Sequence, residues 1–136
     1  MKLQTGTLLA LYSVLEFAAE PRRQFSTAQI AERYGASVHH LAKVLGRLKR
    51  AGLVAAVRGA GGGYRFSGNA KRVTVLDVIE LFERVGPERS RGKRLPLEDA
   101  VSVVLAEIDE TARANFGSIT LETMLKLARR GRRGAA

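Results

Sequence analysis

A glycine run, Gly59-Ala60-Gly61-Gly62-Gly63, joins two short extended stretches directly behind an amphipathic helix, and this arrangement restricts the fold more than any other feature of the chain. Residues 53–58 (Leu-Val-Ala-Ala-Val-Arg) and Tyr64-Arg65-Phe66 read as strands. Two extended runs joined by glycines make a hairpin. A phosphate-cradling nucleotide loop is the competing interpretation, but it requires a helix after the glycines, and its P-loop form requires a Gly-Lys-Ser/Thr ending. A strand follows this run instead, and the ending is absent.

Upstream, Leu8, Leu11, Tyr12, Leu15 and Ala19 recur at intervals of three and four and predict an amphipathic helix over 8–19, which Pro21 and Arg22-Arg23 stop. Ser26 is placed to cap a short helix over 27–34, Gly35 supplies a tight turn, and Ser37 caps a third helix over 38–50. In that third helix Leu41, Val44, Leu45 and Leu48 form the buried stripe, and Ala51-Gly52 ends it. Downstream of the hairpin, Thr74 and Asp77 mark a helix start, with Val75, Leu76, Val78, Ile79 and Phe82 as its apolar surface. Residues 86–96 read as a basic linker, 97–116 as a long helix, and 121–128 as part of a last helix, with the arginine-rich end fraying. No internal repeat is present.

The formal net charge is +10, and its distribution is uneven. Residues 1–96 hold 17 Lys and Arg against 7 Asp and Glu, whereas residues 97–136 hold 6 against 6. No acid occurs between Glu32 and Asp77, a window that carries Arg33, Lys43, Arg47, Lys49, Arg50, Arg58, Arg65, Lys71 and Arg72. A merely solvated surface mixes both signs, so a one-signed window of this length points to a polyanion, with nucleic acid the leading candidate.

Two helices joined by a turn are common, so the register of small and apolar residues has to carry the argument. Ile30 and Tyr34 point inward from the first helix, Leu41 and Val44 from the second, and Ala31 sits where the two cross and a bulky side chain would separate them. That leaves His39, His40, Lys43, Gly46, Arg47 and Arg50 facing outward, a set suited to phosphates and base edges in a major groove. With the glycine-tipped ribbon following at once, the layout is that of a winged helix, and Arg58 at the ribbon's base becomes a candidate minor-groove or phosphate contact. The candidate DNA-binding residues are therefore Ser26, Thr27, Ser37, His39, His40, Lys43, Arg47, Arg58, Gly59, Gly61 and Gly62.

Other functional classes fit poorly. The chain has no cysteine, hence no disulfide, thiolate nucleophile or ordinary Cys-held zinc or iron-sulfur site. His39 and His40 are neighbours on a helix and diverge by about 100°, so metal binding is not expected. No nucleophile stands beside a base, and no catalytic residue is assigned. No run of about 18 apolar residues exists, and the first residues lack a secretion signal, so a cytoplasmic protein without membrane contact is expected. An RNA-binding module is disfavoured because only three tyrosines and five phenylalanines are available, most of them on presumed buried faces.

Several segments together resemble the Rrf2 family of bacterial regulators, which includes the iron-sulfur cluster regulator and the nitric-oxide-sensing repressor. They are Met1-Lys2-Leu3, the stretch 37–45, Ala51-Gly52-Leu53-Val54, the wing from Arg58 to Arg65, Leu76-Asp77-Val78-Ile79 and Ile119-Thr120-Leu121. The resemblance implies a dimeric winged-helix transcription factor on a pseudo-palindromic operator, with the 97–116 helix packing against its partner through Leu97, Val101, Val104, Leu105, Ile108 and Ala112. Cluster-binding members carry three cysteines in and around the loop before that helix; this chain has Arg89, Arg91, Lys93 and Arg94 there and no cysteine. No cofactor is expected, and the effector, a small molecule or a protein, stays open. Ala42 stands where many relatives carry glutamate, so their operator sequence does not transfer.

The expectation is a mainly α protein with a small β-hairpin. It divides into a winged helix-turn-helix domain (1–85), a basic loop (86–96), dimerisation helices (97–130) and a flexible basic tail (131–136). Its expected role is that of a DNA-binding transcriptional regulator, a repressor in the first instance and not an enzyme, with a winged-helix protein-interaction scaffold as the alternative.

Overall fold

The computed structural model describes residues 2–59, 61–86, 92 and 95–134. The elements in order are α1 (Thr5–Ala19), α2 (Thr27–Tyr34), α3 (Val38–Arg50), β1 (Val54–Val57), β2 (Gly63–Phe66), α4 (Val75–Ile79), α5 (Pro96–Ser118) and α6 (Leu121–Gly134). Most of the linker expected at 86–96 lies outside the described residues.

Local chemistry sets the helix ends. The Ser26 hydroxyl accepts from the Gln29 amide at 3.1 Å while the Gln29 side chain accepts from the Ser26 amide at 2.8 Å, so two first-turn donors are satisfied reciprocally. Thr74 and Asp77 repeat the arrangement at α4, at 3.1 and 2.9 Å. Gly35 closes α2 in the left-handed region at φ 62°, where a β-carbon would be strained, and the chain turns there into α3. Ser37 caps α3 by accepting from the His40 amide at 3.0 Å.

The centre of the molecule is α1, which packs on α3, α4, α6 and β2. Its buried residues are Thr7, Leu9, Ala10, Ser13, Val14, Phe17 and Ala18, which corrects the expected face: Leu8, Leu11 and Leu15 are only partly buried, and Tyr12 and Ala19 are exposed. A helix enclosed on several sides is apolar over most of its circumference, so spacing alone picks its face poorly. Two polar residues inside are accounted for: Ser13 donates back to the Leu9 carbonyl at 2.6 Å, and Thr7 donates to the Glu83 carboxylate at 2.5 Å.

Around Phe17 the core gathers Ile30, Leu41, Leu45, Leu48, Val54, Val78 and Leu121. Ala31 is buried at the α2–α3 crossing, as its size requires. Leu121 brings the start of α6 into this same core, and Leu121 and Val75 donate backbone hydrogen bonds to Val73 and Ile119 at 2.9 and 2.8 Å. α6 also runs on through Gly134, further than the frayed tail expected over 131–136.

A polar latch joins α1 to α2. Glu16 accepts from the Tyr34 hydroxyl and from Arg33, each at 2.5 Å, and Tyr12 stacks on Tyr34 with centroids 5.2 Å apart. Burial, then the hydrogen bond to Glu16, hold the Tyr34 phenol well above its ordinary value of 10.0. A raised folded-state pKa means that the latch's contribution is complete below about pH 10 and is lost as pH rises toward the folded-state value, because the unfolded chain ionises first. Thermal unfolding between pH 9 and 11.5 should show wild type losing stability more steeply than Tyr34→Phe, which should itself be about 1 kcal/mol less stable at neutral pH.

Candidate nucleic-acid interface

With Leu41, Val44, Leu45 and Leu48 turned into the core, the helical period sends His39, His40, Lys43, Arg47 and Arg50 to the opposite side of α3, where all five are exposed. They line one open groove of about 750 Å³ whose far wall is Gln4, Gly6 and Thr7 at the start of α1, with Phe82 at its edge. A β-carbon on Gly6 would lie 3.6 Å from Nε2 of His40, so that imidazole is set against α1. Among the described residues that line it there is no carboxylate; Glu83 stands behind the far wall, bonded to Gln4 and Thr7. The charged side chains among those lining residues, Lys43, Arg47 and Arg50, are all basic and all come from α3.

The hairpin pairs Val54 with Phe66, Ala55 with Arg65, Ala56 with Tyr64 and Val57 with Gly63, leaving Arg58 exposed at the end of β1. Phe25 adds a further bridge to Tyr64, their backbones exchanging hydrogen bonds at 3.0 and 2.8 Å. This contact demands a bare backbone at Gly63, where a β-carbon would stand 2.2 Å from the Phe25 carbonyl oxygen and 2.9 Å from Cα of Ser26. The wing is thereby pinned beside the N-terminus of α2. The Gln24 side-chain amide donates to the Gly61 carbonyl and ties down its tip.

The predicted residues thus fall into two groups. His39, His40, Lys43 and Arg47 share the α3 groove; Ser26 and Thr27 lie by the base of the wing that carries Arg58, Gly59, Gly61 and Gly62. Ser37 stands at the start of α3 with its hydroxyl already engaged as a cap. Three features escaped sequence reasoning: the α1 wall, the Gln24 tie, and the commitment of Arg47. The Arg47 guanidinium donates to the Leu81 carbonyl at 3.2 Å and lies 5.3 Å above the centre of the Phe82 ring. Contacts across tens of residues leave no periodic trace in a sequence.

Beyond α4 in the chain, α5 buries none of its 23 residues. Leu97, Val101, Val104, Leu105 and Ile108 are exposed along it, from 55% for Val104 to 82% for Leu97, with Ala112 partly covered. A contiguous apolar stripe of this kind marks an interaction surface.

A helix-turn-helix followed by a short antiparallel ribbon, with a long C-terminal helix, defines the winged-helix class of regulators. The chain belongs to the Rrf2 family, whose description is iron-dependent transcriptional regulator and whose pattern matches residues 3–127. It is 48% identical over 129 residues to BadM of Rhodopseudomonas palustris, spanning 93% of this chain and 83% of BadM. To the HTH-type transcriptional regulator IscR of Vibrio campbellii it is 36% identical over 95 residues, 68% of this chain and 56% of IscR. Among solved structures it superimposes on CymR, the global cysteine regulator of B. subtilis, with a TM-score of 0.79 at 26% identity over 93% of this chain and 98% of CymR. On T. potens IscR the score is 0.70 at 30% identity, over 94% and 88% of the two chains.

The family's iron does not fit the donors of this chain. There is no cysteine, and among the described residues no three His, Asp or Glu converge on a point that could hold a metal ion. Nor is any helix among them long and apolar enough to cross a membrane.

Proposed function

We propose that the protein is a sequence-specific DNA-binding regulator that acts as a homodimer on a pseudo-palindromic operator and represses transcription from it. The carrying observation is the basic outer face of α3, with His39, His40 and Lys43 exposed together on one open groove. In this reading α3 enters the major groove, with His39, His40 and Lys43 toward base edges and Ser37 and the amides behind it toward phosphate. Ser26 and Thr27 meet the backbone, and Arg58 with Gly59, Gly61 and Gly62 follows the minor groove. The α5 stripe joins two copies, so that two α3 helices meet successive turns of the duplex. Without cluster-binding donors, the signal that releases the protein is a small molecule or a protein partner.

Capture of genomic fragments on the purified protein, followed by binding titrations against random duplex, tests this. A preferred sequence with two-fold symmetry is expected, with log affinity falling against log salt by about 0.9 per phosphate engaged. Lys43→Ala should weaken operator binding by about 1–3 kcal/mol if its ammonium reaches a base. Equal affinity for operator and random duplex would favour a protein-interaction scaffold instead.

A further inference from the structure

The short segment that follows α4 is bound, residue by residue, to three different helices. Glu80 pairs with Arg113 of α5 at 3.0 Å. The Leu81 carbonyl accepts from Arg47 of α3, and the Phe82 ring lies beneath that same guanidinium. Glu83 accepts from the Gln4 amide at 2.9 Å and from the buried Thr7 hydroxyl at the start of α1. The segment also walls an open cleft whose other side is Glu110 and Arg113 of α5.

An exposed ion pair such as Glu80–Arg113 holds little by itself. The Glu83 contact is firmer, because Thr7 has no exposure and its buried hydroxyl donates to that carboxylate. With Glu83 anchored, Leu81 and Phe82 present a fixed carbonyl and a fixed ring to α3. A guanidinium recognises guanine through two parallel donors and needs a free fork. One N–H of Arg47 is held by the Leu81 carbonyl and the guanidinium lies over the Phe82 ring of its own chain, so turning that edge toward a base would break both contacts.

We propose that Arg47 is a positioning residue: it braces the reading helix against residues 80–83, and through them against α5, and contacts no base. The inference rests on the DNA-binding reading of α3 and adds to it a route by which a displacement of α5 would reach the reading helix.

The test compares wild type, Arg47→Ala, Phe82→Leu and the double variant on the same operator duplex across a range of salt. Each single change should weaken binding about threefold to tenfold, and the double variant should be no weaker than the weaker single one, since both remove one contact. The salt slope should stay at the wild-type value in all three, whereas a lost phosphate contact lowers it by about 0.9. Arg47→Ala lowering the slope, or relaxing preference at one base pair while Phe82→Leu binds normally, would overturn the proposal. A DNA-free readout accompanies it: amide hydrogen exchange in the last turns of α3 and at 81–83 should rise severalfold in Arg47→Ala. Unchanged exchange also overturns the brace. Failure of wild type to prefer any duplex would reject the DNA reading, leaving hydrogen exchange to decide the brace alone.

Discussion

Replacing Val104 and Ile108 together by aspartate is expected to leave α5 helical while converting the proposed dimer into monomers that hold the proposed operator roughly a hundredfold or more weakly. Both side chains are more than half exposed in the single chain, so the carboxylates meet water and the fold is spared. In the proposed dimer, the same positions would fall where two copies of α5 face each other. The apolar gain lost is on the order of 1 kcal/mol for each partly covered side chain, counted on both protomers, and unpaired charge at the seam adds to it. Five such residues per chain would supply about 10 kcal/mol, comparable with the association penalty of about 4–15 kcal/mol, so losing two is enough to tip the balance. Sedimentation at micromolar concentration, with far-UV circular dichroism as the folding control, reads the first half; operator titration reads the second. A wild-type chain that already sediments as a monomer, or a double variant that stays dimeric, would remove α5 from the interface.

The second large effect is at Gly63. An added methyl would stand 2.2 Å from the Phe25 carbonyl oxygen, and the carbonyl carbon is only 2.7 Å away, so no side-chain rotation relieves it. The backbones must part, which sacrifices the paired hydrogen bonds between Phe25 and Tyr64. Two hydrogen bonds at about 1 kcal/mol each plus overpacking at about 1–3 kcal/mol give a loss of roughly 3–5 kcal/mol for Gly63→Ala. Against a total stability of about 5–15 kcal/mol, that is a large fraction, and the midpoint should fall by about 10 °C or more. Gly61→Ala, strained only by its φ of 75° and with no atom near the added carbon, should cost much less. Thermal melts of the two variants side by side check the ranking; near-equal midpoints would contradict the close approach.

Much of the winged domain was legible because its cues are local. Ser26, Ser37 and Thr74 cap the helices expected of them, Gly35 makes the expected turn, and the stripe from Leu41 to Leu48 is buried. The glycine-tipped hairpin and the apolar stripe of α5 are where periodicity puts them. The face of α1 was misjudged because the helix is enclosed by four elements. The end of α6 was missed because a run of arginines looks solvated whether or not it is helical. Around the α3 groove the sequence led to His40 and Lys43 as outward-facing residues, but not to the α1 wall opposite them or to the Arg47–Leu81 contact.

The chain's own order of residues sufficed for whatever is settled within a few positions: caps, turns, strand alternation, helical stripes and the acid-free window that gives α3 its sign. Those are fixed by backbone dihedrals and by neighbours three or four residues away. Folding in three dimensions alone decided which side of α1 lies inside, why Gly63 admits no side chain, and that one carboxylate at position 83 serves a helix start 76 residues earlier. Such pairings depend on how packed elements meet, a property of the assembled core that no short stretch of chain contains.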